Sequence, residues 1–255
     1  MTTQADKAQR LHALHRGDRP LVLFNIWDPG SAKAVAGAGA AALATGSWSV
    51  SAANGYGDGE RIPLELAIGN LSRIATATDL PVTIDLERGY EDPADTVRRA
   101  IAGGAVGCNL EDGLADGLRP TDEQAARLAQ AREAADATGV PLFINARTDV
   151  FLQSPPDAHD EALLEQALER GRTYAAAGAN GLFVPGLADD ALIAALVRAS
   201  PLPVNVMVVP GLPSLPRLAA LGVARVSHGP GPYLAAMRAL AQAAEAAGQG
   251  PAGQA

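Results

Sequence analysis

A chain of 255 residues with 48% hydrophobic side chains holds one large domain or two small ones, and with only four Phe and two Trp its core is built from Ala, Val and Leu. The formal charge of −8 argues against nucleic acid or an acidic membrane as partner, because both need clustered Lys and Arg. The single cysteine, Cys108, excludes an internal disulfide framework and a Cys-rich zinc site; with no apolar leader at the start and no apolar run near the ~20 residues of a membrane span, a soluble, cytoplasmic protein is expected.

Residues 4–16 form a short amphipathic helix with Leu11, Ala13 and Leu14 on one side. An apolar strand at 21–27 stops at Asp28-Pro29-Gly30, and Ser31 opens a helix to 38. An Ala-rich strand at 41–47 leads through a Gly-rich loop, 54–60, to a helix at 63–77. The strand at 82–87 follows Pro81, Pro93 opens a helix to 102, and a strand runs from 106 to 111. Thr121 caps a long helix to 138, and a fifth strand covers 141–147. The rhythm then repeats: helix 160–177, strand 181–185, helix 189–199, strand 203–209, helix 215–221, strand 225–228 and helix 232–246. Residues 248–255, rich in Gly, Gln and Ala, are expected to be a disordered tail.

Eight strand-then-helix units with near-continuous apolar strands predict a parallel sheet. Their number and the chain length fit an α/β fold of the (β/α)8 TIM-barrel type, a single domain over residues 1–247 with an N-terminal helix. An open doubly wound sheet would need a Gly-rich phosphate turn after its first strand, and Trp27-Asp28-Pro29-Gly30 lacks that fingerprint.

In such barrels the site lies at the carboxyl ends of the strands. Those ends carry Asn25 and Asp28, then Thr45, Gly46 and Ser47, then Asp85 and Glu87, then Asn109 and Glu111. They continue with Asn145, Arg147 and Asp149, then Asn205, and finally Ser227 and His228. Each of these residue types also serves as a loop residue or helix cap, but together they make a polar floor suited to a small anionic ligand.

Strand alternation puts Thr83, Asp85 and Glu87 on one face. Adjacent buried carboxylates repel, so either they lie past the strand end in solvent or a hard cation compensates them. Asp85, Glu87 and Glu111 are the set that could hold Mg2+ or Mn2+, directly or through water. Arg147 offers a planar fork for a substrate carboxylate or phosphoryl group, or is a structural partner of Asp149 or a metal-site acid. Thr45, Gly46 and Ser47 offer hydroxyls and backbone N–H donors to an oxyanion. Asp58 is either a solvated turn residue or an outer partner of the metal. Parity turns Cys108 outward, toward the helices, as a small apolar residue. His228 is as well suited to a turn as to proton transfer, and His12, His15 and His159 read as surface residues.

Several spaced segments resemble the isocitrate lyase and phosphoenolpyruvate mutase superfamily. They are Asn25-Ile26-Trp27-Asp28-Pro29-Gly30-Ser31-Ala32, the loop 51–58, Ile84-Asp85-Leu86-Glu87-Arg88-Gly89-Tyr90, Gly107-Cys108-Asn109-Leu110-Glu111-Asp112 and Asn145-Ala146-Arg147-Thr148-Asp149. The resemblance spans roughly residues 20 to 230. It implies a barrel with a metal site at Asp85, Glu87 and Glu111, a 2-oxo-carboxylate bound by Thr45, Gly46 and Ser47, and substrate contacts from Arg147 and Asn205. It also implies a homo-oligomer, a dimer or tetramer, and Mg2+-stabilised enolate chemistry on a small 2-oxo acid.

The departures bear on the reaction. Carbon–carbon lyases of the superfamily carry a Lys-(Lys/Arg)-Cys-Gly-His loop where this chain reads Asp112-Gly113-Leu114-Ala115-Asp116-Gly117-Leu118-Arg119. The Lys and Asn of the phosphonomutase gating loop are also missing. A Pro-Glu pair of the lyases is Pro185-Gly186 here, and the region after the last strand is short, which puts the family's helix exchange in doubt. Chemistry without a base on that loop fits best. The expected function is Mg2+-dependent C–C cleavage or decarboxylation of a small 2-oxo or 2-hydroxy acid such as oxaloacetate or a methylisocitrate-like acid, with Tyr56 and Asp58 as proton carriers. The alternatives are a P–C mutase or hydrolase, and a catalytically weak 2-oxo-acid-binding protein.

Overall fold

Short apolar runs, each too brief for a stable helix, pair in parallel and alternate with Ala- and Leu-rich helices. The strands of the computed structural model, which describes residues 2–248, are β1 (Leu21–Leu23), β2 (Leu43–Ala44), β3 (Val82–Asp85) and β4 (Gly107–Glu111). A small hairpin, β5 (Gly113–Leu114) and β6 (Gly117–Leu118), precedes β7 (Phe143–Arg147), β8 (Gly181–Phe183), β9 (Val204–Met207) and β10 (Arg225–Ser227). The helices are α1 (Gln4–Leu14), α2 (Pro29–Gly37), α3 (Ser47–Ala53), α4 (Leu64–Thr76) and α5 (Pro93–Ala102). They continue as α6 (Thr121–Asp136), α7 (Glu161–Ala176), α8 (Asp190–Ala199), α9 (Leu215–Leu221) and α10 (Gly231–Gly248).

Eight strands form one parallel sheet in the order β1-β10-β9-β8-β7-β4-β3-β2. The sheet returns on itself through an Ile26–Thr45 bridge, in which the Ile26 N–H donates to the Ala44 carbonyl at 2.8 Å. This is the expected (β/α)8 barrel. Alternation assigns each side chain to a layer. Val82, Ile84, Cys108, Leu110, Ile144 and Ala146 face the helices, in one continuous apolar cluster. Full burial of each large aliphatic side chain there contributes roughly 1.5–3 kcal/mol. Cys108 sits in that layer as parity requires, and burial pushes its thiol up to about 12.

The N-terminal helix closes the bottom of the barrel. Ala8 and Leu11 join Leu21, Leu23, Ala42, Ala44, Val106 and Phe143 in a second apolar cluster. Gln4 donates to the carbonyls of Ile101 and Ala105, at 2.8 and 2.9 Å, and anchors the helix to the turn before β4. His15 is therefore not a surface residue. It is 6% exposed, its ring stacks on Phe143 at 3.9 Å between centroids, and its Nδ1 meets the Leu11 carbonyl at 2.8 Å.

Three further expectations are corrected. Residues 47–53 form α3, where the sequence reading continued from strand straight to loop. Its three serines and a valine have middling helix propensity, and seven residues are too few to show periodicity. The N-cap of α6 is Pro120, not Thr121, and the helix start is served instead by Asp122 and Glu123 in the first turn. Gly248 closes α10 instead of opening the tail, and residues 249–255 lie outside the described residues. Among the described residues no helix is long and apolar enough to cross a membrane.

Candidate active site

Asp85 ends β3, where the ladder delivers its carboxylate to the upper rim. Its Oδ2 accepts from the Ser47 N–H at 3.2 Å and the Ser47 hydroxyl at 2.9 Å. Its own N–H donates to Thr45 Oγ1 at 3.1 Å. The turn from β2 into α3 thus exists, in part, to hold this acid: Ser47 is the first residue of α3, whose positive end favours a carboxylate.

Glu87 is not the strand neighbour that alternation implied. The strand stops at Asp85, and Glu87 has φ +53°, in the left-handed region. Glu60 and Tyr90, at φ +62° and +54°, share that conformation, and the three hold one another. The Glu60 N–H donates to the Glu87 carboxylate, and the Glu60 carboxylate accepts from the Tyr90 N–H at 2.6 Å and from Arg88 Nε at 3.1 Å. This knot ties the loop after α3 to the loop after β3. Burial, and then the Asp85 charge, push the Glu87 carboxyl up to about 7.

On the neighbouring strands β4 and β7, Glu111 pairs with a guanidinium nitrogen of its register partner Arg147 at 2.7 Å. The other two nitrogens of that fork bind Asp149 at 2.6 and 3.0 Å. Burial lowers the Arg147 pKa, but the Glu111 and Asp149 charges overcome it and hold the guanidinium charged. The Asp149 N–H donates to Asp112, whose other oxygen accepts from Arg170 at 2.9 Å and from the Tyr174 hydroxyl at 2.7 Å. The hairpin β5–β6 rides on this network. Gln153 donates to the Leu114 and Gly117 carbonyls at 3.2 and 2.8 Å, and a Cβ on Gly113 would strike the Asp149 carboxylate. Residues 112–119 are thus fastened to the residues that follow β7.

Of these groups, Ser47, Asp85 and Arg147 line a cavity of about 210 Å3. Its polar lining is Asn25, Ser47, Asp58, Asp85, Asn109, Arg147 and Ser227, with Gly46 and Gly229. Its apolar lining is Trp48, Leu152, Phe183, Met207 and Pro230, with the Arg147 guanidinium 5.9 Å over the Phe183 ring. Of the sequence-expected residues, Thr45, Glu87 and Asp85 border a smaller adjoining cavity, and Asn205 lies under the floor, bonded to Ser227 at 3.2 Å. Tyr56 is exposed and is not part of the lining, whereas Asp58 is. Partial burial and the Asp85 charge raise the Asp58 carboxyl above its usual range. His228 faces outward, ring to ring with Phe24 at 5.0 Å.

Sequence reasoning missed Arg225. It is 1% exposed inside the barrel, with Nε 3.3 Å from Ser227 Oγ and a terminal nitrogen 3.4 Å from Asn109 Oδ1. Its remaining terminal nitrogen has no partner. The signal was available: Arg225 is two residues before Ser227 and so shares its inward face.

Among the described residues no three acidic, histidine or cysteine side chains converge as a metal cage. The expected triad is split, because Glu87 is taken up by the Glu60 N–H and Glu111 by Arg147. What remains is Asp85 and Asp58 lining one cavity, close enough that the Asp85 charge helps raise the Asp58 carboxyl. That donor set fits a divalent cation bound through one or two carboxylates and several waters, the usual manner of Mg2+.

A parallel eight-stranded barrel with carboxylates, an arginine and oxyanion donors gathered at its carboxyl rim defines an enzyme of the lyase and mutase type. The phosphoenolpyruvate phosphomutase family model matches residues 11–247, and the chain belongs to that family. A candidate phosphonomutase from Burkholderia cenocepacia J2315 is 56% identical, covering 96% of this chain and 100% of its own, with a TM-score of 0.93. An uncharacterised protein of Mycobacterium tuberculosis is 35% identical over 94% of this chain and 89% of its own length. The oxaloacetate decarboxylase of Ectopseudomonas mendocina is 28% identical over 89% of this chain and 79% of its own.

Proposed function

We propose that the protein cleaves a carbon–carbon bond of a small 2-oxo acid with the help of Mg2+ or Mn2+. The observation that carries this reading is Asp85, fixed by two Ser47 donors and facing the same cavity as Arg147. Asp85 holds the cation, with Asp58, Glu87 and Glu111 adding charge around it through water. When bound, the cation neutralises negative charge that develops on the 2-oxo oxygen. Gly46, Ser47 and Arg147 bind the carboxylate end, while Thr45 and Asn205 act from below by holding Asp85 and Ser227. Asp58, on the cavity wall, carries the proton. Tyr56 sits two residues away on the same loop.

The test follows pyruvate release from oxaloacetate and related acids with and without Mg2+, and measures Mg2+ binding by calorimetry. Asp85→Ala should lose about 10^3-fold in rate and lose the cation. Equal rates in mutant and wild type would sink the proposal. Metal and oxo-acid binding without turnover would leave a binding protein.

The likeness to a candidate phosphonomutase supports a second reading, phosphorus–carbon chemistry. It is the weaker one, because a phosphonate adds up to two negative charges beside the carboxylate, and Arg147, the one cation lining the cavity among the described residues, is already shared with Glu111 and Asp149. Phosphonopyruvate in the same assay decides between them.

The surface supports a homo-oligomer. Only Pro232 of α10 is buried, with Leu234 and Leu240 42% and 63% exposed. Beside β1 lies an apolar groove of about 1130 Å3 bordered by Leu14, Val22, Phe24 and Val35. A neighbour's α10 laid in that groove would cover both surfaces. Leu240→Lys should then shift the solution mass, read by light scattering, toward the monomer.

A further inference from the structure

The two amide side chains that line the cavity are not equivalent. Asn25 is largely spent. Its Oδ1 accepts from the His228 and Gly229 N–H groups, both at 2.9 Å, and its Nδ2 donates to the Thr45 carbonyl at 3.0 Å. Asn109 is committed at one end only. Its Oδ1 accepts from Asn145 Nδ2 at 2.9 Å and from an Arg225 terminal nitrogen at 3.4 Å. Its Nδ2 bonds to no protein group among the described residues and is not fully enclosed. Asn109 lines the cavity and is 6% exposed, so the end it turns to a ligand is a free donor.

The two ends of an amide have nearly the same shape, so its partners alone decide which way it points. Arg225 decides here, because a guanidinium has donors only and must face the Asn109 oxygen. That oxygen then requires the nitrogen of Asn145. Gly181 on β8 gives Asn145 room to present it, since a Cβ there would come within 2.7 Å of Asn145 Oδ1. Arg225 makes no ion pair, and its Nε lies 3.3 Å from Ser227 Oγ, which also lines the cavity. Its charge therefore acts through two lining groups and polarises them. A donor backed by a cation favours an oxygen that carries negative charge. In register, Asn109 stands beside Asp85 of β3 and Asn145 of β7, one inward position deeper than Glu111 and Arg147.

We infer that Asn109 donates its amide N–H to the most deeply seated anionic oxygen of the substrate, and that Arg225 is a positioning residue that holds Asn109 with this end toward the ligand. This rests on the proposed 2-oxo-acid site and adds to it one binding residue and the residue that orients it. The ligand class is a small acid that sets a carboxylate oxygen, or a 2-oxo oxygen that gains charge, at the bottom of the cavity.

The test is a double-mutant cycle read by calorimetry. The probe is oxalate, a planar dianion shaped like the enolate of pyruvate, titrated into the Mg2+-loaded protein, with thermal midpoints recorded alongside. Asn109→Ala should weaken oxalate about 10-fold to 100-fold. Asn109→Asp keeps acceptors for Asn145 and Arg225 but offers oxygen to the ligand; it should keep its thermal midpoint and weaken oxalate by at least about tenfold. Arg225→Met should weaken oxalate about tenfold without lowering the thermal midpoint. Adding Arg225→Met to Asn109→Ala should cost less than about threefold more, because no amide is left to orient. A purely structural role for Arg225 would not produce that coupling. Unchanged oxalate affinity in Asn109→Asp would overturn the inference and leave the proposed function standing. Losses that multiply in the double variant would overturn the positioning role of Arg225. Failure of the wild-type protein to bind oxalate or pyruvate with Mg2+ would overturn the proposed function together with the inference.

Discussion

Arg147, near the rim of the barrel, and Arg225, deeper inside it, solve the same electrostatic problem in opposite ways. Arg147 is enclosed by Glu111 and Asp149, and the pairing keeps it charged. Arg225 meets only the oxygens of Asn109 and Ser227, one of its nitrogens has no partner, and burial lowers its pKa to about 10. The first arrangement uses its charge for order: two acids hang on a single fork, and the backbone of one of them, Asp149, reaches Asp112 beside the hairpin. The second keeps a positive potential under the polar floor without neutralising it. A barrel interior therefore tolerates a cation either by pairing it or by surrounding it with neutral dipoles, and the two choices have opposite consequences when the cation is removed.

The strongest test of that contrast is a pair of isosteric substitutions. Arg147→Met strands Glu111 and Asp149 and should cost about 3–5 kcal/mol in urea unfolding at neutral pH. Arg225→Met removes a buried charge that has no ion-pair partner and feels only the more distant Asp85 carboxylate, and should leave stability unchanged or raise it by about 1–4 kcal/mol. Equal losses in the two variants would show that Arg225 has a partner the static geometry does not capture.

His15 sharpens the account of the lower layer. Burial, the Arg225 charge and the neighbouring His12 all oppose its protonation, and its pKa falls to about 3. Above pH ~6.5 the ring is neutral in both folded and unfolded chains. As pH falls from there toward 3, the unfolded chain takes up a proton that the folded one refuses, so stability drops with acidity. Between pH 7 and pH 5 the loss should be about 2 kcal/mol. His15→Leu should remove that part of the pH dependence, and an unchanged slope would place the acid sensitivity elsewhere. The smallest expected effect is in the upper layer. Gly113→Ala forces the hairpin off Asp149 and should cost about 1–2 kcal/mol, with faster amide exchange confined to residues 113–118.

The architecture was legible because each barrel strand is a short apolar run bounded by Pro, Gly or a charged turn. Parity on β4 located Asn109 inside and Cys108 outside from spacing alone. What resisted reading has physical causes. Glu87 was assigned by an alternation that ends two residues earlier, and nothing local announces a left-handed glutamate. That conformation is held by Glu60, 27 residues away in the chain. His15 belongs to a helix whose inward face is defined only once the barrel exists to be closed. The apolar lining residues come from five separate segments, so no motif records them.

The Ile26–Thr45 bridge joins β1 to β2, where the other neighbouring strands share longer ladders. That seam opens directly into the site, since Asn25 follows β1 and Gly46 and Ser47 follow β2. The Asn25 amide already crosses the seam, donating to the Thr45 carbonyl at 3.0 Å. A ligand spanning Asn25 and Ser47 would add a second cross-link, and binding there would stabilise the closed barrel by mass action. The shortest rung of the sheet therefore makes a bound ligand a candidate fastener of the fold.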